Sequence, residues 1–115
     1  MPSTTPYRRG DIVLVSFPFT DLSSSKRRPA RVISPDAFNQ ASQDLVLAAI
    51  TSQGIEDSGL VIEPGDCIDG ILPKTSVVKP EKLFTMHTTL ILKKICALRA
   101  DKLSAALAAI RQFFS

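Results

Sequence analysis

Hydrophobic and polar positions change period along the chain. Ile12, Val13, Leu14, Val15 and Phe17 are bulky or β-branched and nearly continuous. That pattern predicts a strand covered on both faces and ended or bulged by Pro18. Ala30 to Ser34 predicts a second strand, Pro35 to Gln40 a proline-initiated turn or short helix, and Leu45 to Thr51 a third strand that stops at Thr51-Ser52-Gln53-Gly54. Leu60, Val61 and Ile62 form a short fourth strand, Glu63-Pro64-Gly65-Asp66 its turn, and Ile71 and Leu72 a connecting segment before Pro73. Ser76 to Lys79 and Leu83 to Met86 predict either a strand pair or one kinked strand, and Ile91 to Leu98 the last strand. The period then becomes helical: Leu103, Ala106, Leu107, Ile110 and Phe114 recur on one face, with Asp101 near the start and Arg111 near the end, so an amphipathic helix is expected over 101–114. Short strands closing on one helix imply a mainly β fold, a strongly curved antiparallel sheet or open barrel with the helix over one side.

Length and composition bound this picture. At 115 residues, 44% hydrophobic and 22% charged, the chain suits one compact domain over 1–115, and global disorder is excluded. Residues 1–6 are polar with two prolines and read as a mobile tail. The longest apolar runs, such as Leu45 to Ile50, are too short to cross a bilayer, and the N-terminus has no apolar stretch of signal-peptide length. A soluble cytoplasmic protein without a membrane partner is expected. Cys67 and Cys96 share no metal-ligand spacing, and His87 is the only histidine. The thiols therefore read as reduced core cysteines, and the expectation is no metal and no cofactor.

Charge matters through its placement. The net charge of +3 suits a polyanionic partner or merely solubility. The run Lys26-Arg27-Arg28-Pro29-Ala30-Arg31-Val32-Ile33-Ser34-Pro35 sets four cations against an apolar strand between two prolines. Pro29 pushes Arg28 toward extended geometry and predicts that it stands where a loop turns into a strand. Taken in isolation, a basic triplet is more often no more than a solvated loop ahead of an ordinary strand. Ahead of it, Phe19-Thr20-Asp21-Leu22-Ser23-Ser24-Ser25 is a serine-rich loop.

Three blocks together are more specific. Gly10-Asp11-Ile12-Val13-Leu14-Val15 with Phe17-Pro18-Phe19, then Arg28-Pro29-Ala30-Arg31-Val32-Ile33-Ser34, then Ala49-Ile50-Thr51-Ser52-Gln53 occur in the order and spacing of the MazF/PemK family of toxin endoribonucleases, which the chain resembles from about Tyr7 to the terminal helix. The resemblance implies an SH3-like barrel with a C-terminal helix, a homodimer, metal-independent and sequence-selective cleavage of single-stranded RNA, and a cognate antitoxin partner. By motif match, Arg28 and Thr51 take the positions of the family's catalytic pair. A looser alignment sets Lys79 and Glu81 where some members use an arginine and an aspartate.

The chemistry agrees with the residue types. Metal-free cleavage begins with 2′-hydroxyl attack on the adjacent phosphorus, leaving a 2′,3′-cyclic phosphate and a 5′-hydroxyl. Arg28 can donate two hydrogen bonds to the phosphoryl oxygens, but a guanidinium does not readily give up a proton and makes a poor proton shuttle. Thr51 can donate to the same phosphate or orient the nucleophile. Glu81 is the candidate general base, its other reading being a surface ion pair with Lys79 or Lys82. Lys26, Arg27 and Lys79 are candidate RNA-binding cations. Ser52 and Gln53 either read base edges or cap a turn, and Phe19 either stacks a base or anchors the core. His87 reads as structural. Two other readings differ in class: a related barrel that poisons a topoisomerase, and a nucleic-acid-binding module without activity.

Overall fold

The computed structural model of the protein describes residues 7–18, 25–51 and 60–115. Its elements are β1 (Asp11–Pro18), β2 (Ser25–Val32), α1 (Asp36–Ala41), β3 (Asp44–Thr51), β4 (Leu60–Ile62), β5 (Cys67–Ile68), β6 (Ser76–His87), β7 (Ile91–Leu98) and α2 (Ala100–Phe113). The strands form one antiparallel sheet in the order β4-β6-β3-β2-β1-β7-β5, curled into a half-barrel. Residues 1–6, expected as a tail, and the serine-rich loop at 19–24 lie outside the described residues.

Strand alternation sends side chains to both faces, and both faces are buried. Ile12, Ala48, Ile50, Val78 and Cys96 build one core, against which Leu107 and Ile110 of α2 pack. Val13, Val15, Ala30, Val32, Leu45 and Leu47 build the other. The nearly continuous apolar runs of β1 and β3 follow from this double burial.

Curvature enters where the ladders break. The β1–β7 register shifts between Ile12 and Val13 and again between Leu14 and Val15. The β3–β6 register shifts between Ala48 and Ile50. Pro80 lies in the unladdered stretch of β6, where its missing N–H costs no ladder bond. The two predicted segments, Ser76 to Lys79 and Leu83 to Met86, are thus one kinked strand.

One expectation is corrected. The second strand begins at Ser25, five residues before Ala30, so Arg28 lies within β2 and not at a loop-to-strand junction. In the β1–β2 pair Val15 faces Arg28 and Leu14 faces Pro29. The β2–β3 pair covers only Ala30 to Val32, so Pro29 stands on a locally free edge, where a residue without an N–H is tolerated. The long stems of Arg27 and Arg28 suit an extended edge whose charged ends stay in water.

Around Ser34 a buried polar cluster turns the chain. Ser34 Oγ donates to Asn39 Oδ1 at 2.5 Å and accepts from the Val46 N–H at 3.1 Å, while Asn39 Nδ2 donates to the Ser34 carbonyl at 3.1 Å. With its buried polar atoms satisfied, the corner between β2, α1 and β3 is fixed.

Candidate active site

Where β2 and β3 part, a cavity of about 430 Å³ opens. It is lined by Leu14, Arg27, Arg28, Pro29, Ile50, Thr51, Leu72, Pro73, Lys74, Ser76 and Ile95. Apolar side chains make up much of the wall. The charged groups lining it, Arg27, Arg28 and Lys74, are all cations, and all three are exposed. Electrostatics therefore favour an anion, and the apolar wall offers a dry surface beside it.

Two of the sequence candidates for catalysis meet here. Arg28 comes from β2 and the half-buried Thr51 from the last position of β3. Arg27 joins them on the β2 side. Together they supply a planar cationic donor, a hydroxyl and a second cation, a set suited to gripping a phosphodiester.

Glu81 and Lys79 sit differently. They form an ion pair at 3.5 Å on the irregular stretch of β6, and neither lines the cavity. For Lys26 only the backbone is described, within β2; Phe19, Ser52 and Gln53 lie outside the described residues. His87 is at the far end of β6, paired in register with Asp44. Its Nδ1 accepts from the Thr89 N–H at 3.1 Å, and its Nε2 lies 2.9 Å from Gln43 Oε1, so the ring ties a turn together. Cys67 and Cys96 are free thiols that burial pushes up, which leaves them neutral and unreactive near pH 7.

Sequence reasoning missed Lys74 because it stands between predicted elements, in a segment whose place depends on the fold. It counted Arg31 among the four cations of the basic run, within the predicted second strand, and did not foresee its burial. Arg31 is fully buried under α2, with Nη2 3.4 Å from the Leu103 carbonyl and Nε and Nη1 without a hydrogen-bond partner among the described residues. Burial, aided by the nearby Arg9 charge, lowers its pKa to about 10. The signal lies in strand pairing, which sets Arg31 on one face with its partners Ile12 and Ala48.

The family model described as PemK-like, MazF-like toxin of type II toxin-antitoxin system matches residues 8–114. No curated protein matches the chain. Among solved structures, it resembles an endoribonuclease in complex with its cognate antitoxin from a mycobacterial species, at 15% identity over 94% of both chains and a TM-score of 0.77. It also resembles an endoribonuclease from a mycobacterial species, at 16% identity over 96% of this chain and 93% of that one, TM-score 0.75. A MazE–MazF complex from Deinococcus radiodurans is similar at 18% identity over 95% of each chain, TM-score 0.70. At these identities the likeness is one of fold.

Proposed function

The chain belongs to the PemK-like, MazF-like toxins of type II toxin-antitoxin systems, and from that premise we propose that it is an endoribonuclease cutting single-stranded mRNA in the cytoplasm without a metal. The observation that carries the reading is the meeting of Arg28 and Thr51 in one cavity whose lining charges are all positive. In this reading the scissile phosphate lies between them. Arg28 donates two hydrogen bonds to the phosphoryl oxygens as the 2′-hydroxyl attacks phosphorus, and Thr51 donates a third or aligns the nucleophile. The 5′-oxygen leaves as its bond to phosphorus breaks and takes a proton from solvent water, giving a 2′,3′-cyclic phosphate and a 5′-hydroxyl. Arg27 and Lys26 hold flanking phosphates, with Phe19, Ser52, Gln53 and Lys79 as further RNA contacts. Glu81 is assigned as the base that takes the 2′-hydroxyl proton.

The functional unit in this proposal is a homodimer, neutralised by an antitoxin whose acidic and apolar segment occupies the same cationic surface. The complexes with cognate antitoxin among the similar structures support such a partner. Incubating the purified chain with end-labelled single-stranded RNA in excess EDTA tests the reading. Cleavage to cyclic-phosphate and 5′-hydroxyl ends is expected. Bound but uncut RNA would leave a binding module, and intact RNA with an inhibited topoisomerase would leave a poison.

A further inference from the structure

We propose that Lys74 is a phosphate-binding residue that grips the RNA backbone on the side of Thr51 opposite to Arg28. The inference rests on the endoribonuclease reading and adds a contact that neither motif match nor periodicity signals. Three observations carry it.

The first is position. In the sheet, β3 lies between β2 and β6. Thr51, at the end of β3, is paired with Val77 of β6, and Lys74 lies three residues before Val77 on the segment that leads into that strand. Arg27 and Arg28 flank Thr51 from the β2 side and Lys74 from the β6 side, and all four line one cavity. A nucleic-acid backbone laid across the ends of β2, β3 and β6 meets a cation on each side of the hydroxyl.

The second is charge. Lys79, Lys94, Arg99 and Lys102 each form an ion pair with a carboxylate. Lys74, an exposed cation in the cavity wall, has no carboxylate partner among the described residues, and no carboxylate among them lines that cavity. Its charge is directed at whatever enters.

The third is support. Ser76 is 4% exposed, and its Oγ donates to the Lys74 carbonyl at 3.0 Å. Pro73 restricts the preceding residue, and the neighbouring Leu72 is buried in the core. The backbone under Lys74 is therefore anchored on both sides while the side chain stays exposed, as a gripping residue requires.

The test is the salt dependence of binding to a fully 2′-O-methyl oligonucleotide, which lacks the nucleophile and stays intact. A cation that neutralises one phosphate adds about 0.7 to the slope of log affinity against log salt for a single strand. In Lys74→Met the affinity is expected to fall several-fold, alike for different sequences, and the slope to shrink by about that amount. Lys74→Arg should restore both. On cleavable RNA, Lys74→Met should raise KM with little change in kcat, the mark of binding shared by ground and transition states. Wild-type binding with an unaltered slope and affinity in a folded Lys74→Met protein would overturn the assignment alone. A wild-type chain that binds no RNA would overturn the endoribonuclease reading and this contact with it.

Discussion

Arg28 of β2 and Thr51 of β3 line one cavity at the point where the two strands separate. The pairs Ala30–Ala49, Arg31–Ala48 and Val32–Leu47 define the register, and Arg28 and Thr51 each lie two residues beyond its last pair. Pairing stops before that point, and the cavity opens in the gap. The same strands that bury Ala30 and Ile50 thus hold the two polar groups at a set spacing, with no loop between them and the core.

That relationship makes Arg28→Ala the sharpest test of the chemistry. Because Arg28 is exposed, its truncation should leave the thermal melt almost unchanged while cleavage falls about a hundred- to a thousand-fold or more, typical of losing a preorganised donor. Arg28→Lys should remain strongly impaired, since an ammonium cannot make the two-pronged contact. Thr51→Val keeps the shape and deletes the hydroxyl, and cleavage should drop without unfolding. Normal turnover by folded Arg28→Ala would remove Arg28 from the mechanism.

Glu81 is tested by pH. As the acceptor of the 2′-hydroxyl proton it should give a rate that declines toward acid, and Glu81→Gln should abolish that decline while slowing cleavage by about a hundred- to ten-thousand-fold. RNA affinity should be unchanged. Should the acid decline persist in Glu81→Gln, the carboxylate serves only its 3.5 Å ion pair with Lys79.

Asp66 fastens α2 to the turn ahead of β5. It is 9% exposed, accepts from the Glu63 N–H at 2.8 Å, and lies 3.7 Å from Arg99 and 3.5 Å from Lys102, while its carbonyl accepts from the Arg99 N–H at 3.0 Å. Asp66→Ala removes the acceptor of the Glu63 N–H and one anionic partner each of Arg99 and Lys102, and should cost about 1–3 kcal/mol in chemical denaturation. Cleavage per folded molecule should be preserved, because Asp66 does not line the cavity.

Arg31 should respond the other way. Its pKa falls from the ordinary arginine value to about 10 on folding, so the folded state carries this proton at a cost. As pH rises through about 10 the folded chain releases the proton first, and the destabilising contribution fades as pH climbs toward the ordinary arginine value. Arg31→Met keeps the length and removes the charge, and should leave stability equal or raise it by about 1–4 kcal/mol at neutral pH. A clear loss in the denaturation midpoint would mean that the contact with the Leu103 carbonyl outweighs the burial of the charge.

Gly70 controls how the chain reaches the cavity wall. Its φ is +141°, and a Cβ there would collide with the Ile95 carbonyl oxygen. Gly70→Ala should therefore destabilise the fold and displace the segment that bears Leu72 and Lys74. Weaker RNA binding and a lower melting temperature are expected together.

Much of this architecture is legible in the order of residues. Nearly continuous apolar and β-branched runs mark β1 and β3, and the helical period marks α2, because burial on both sheet faces or on one helix stripe imposes those patterns locally. Arg28 and Thr51 are legible too, each inside a short block of fixed residues. The start of β2 is not, since the polar residues Ser25 to Arg28 extend a strand only because β1 lies beside them. What tertiary structure alone decides is which cations serve the cavity. Arg28 and Arg31 are near-identical in sequence terms, yet one opens toward solvent at a strand gap and the other is sealed under α2. Lys74, silent in the sequence, joins Thr51 because β6 pairs with β3. Pairing between segments distant in the chain sets these outcomes, and no local propensity encodes which strands will meet.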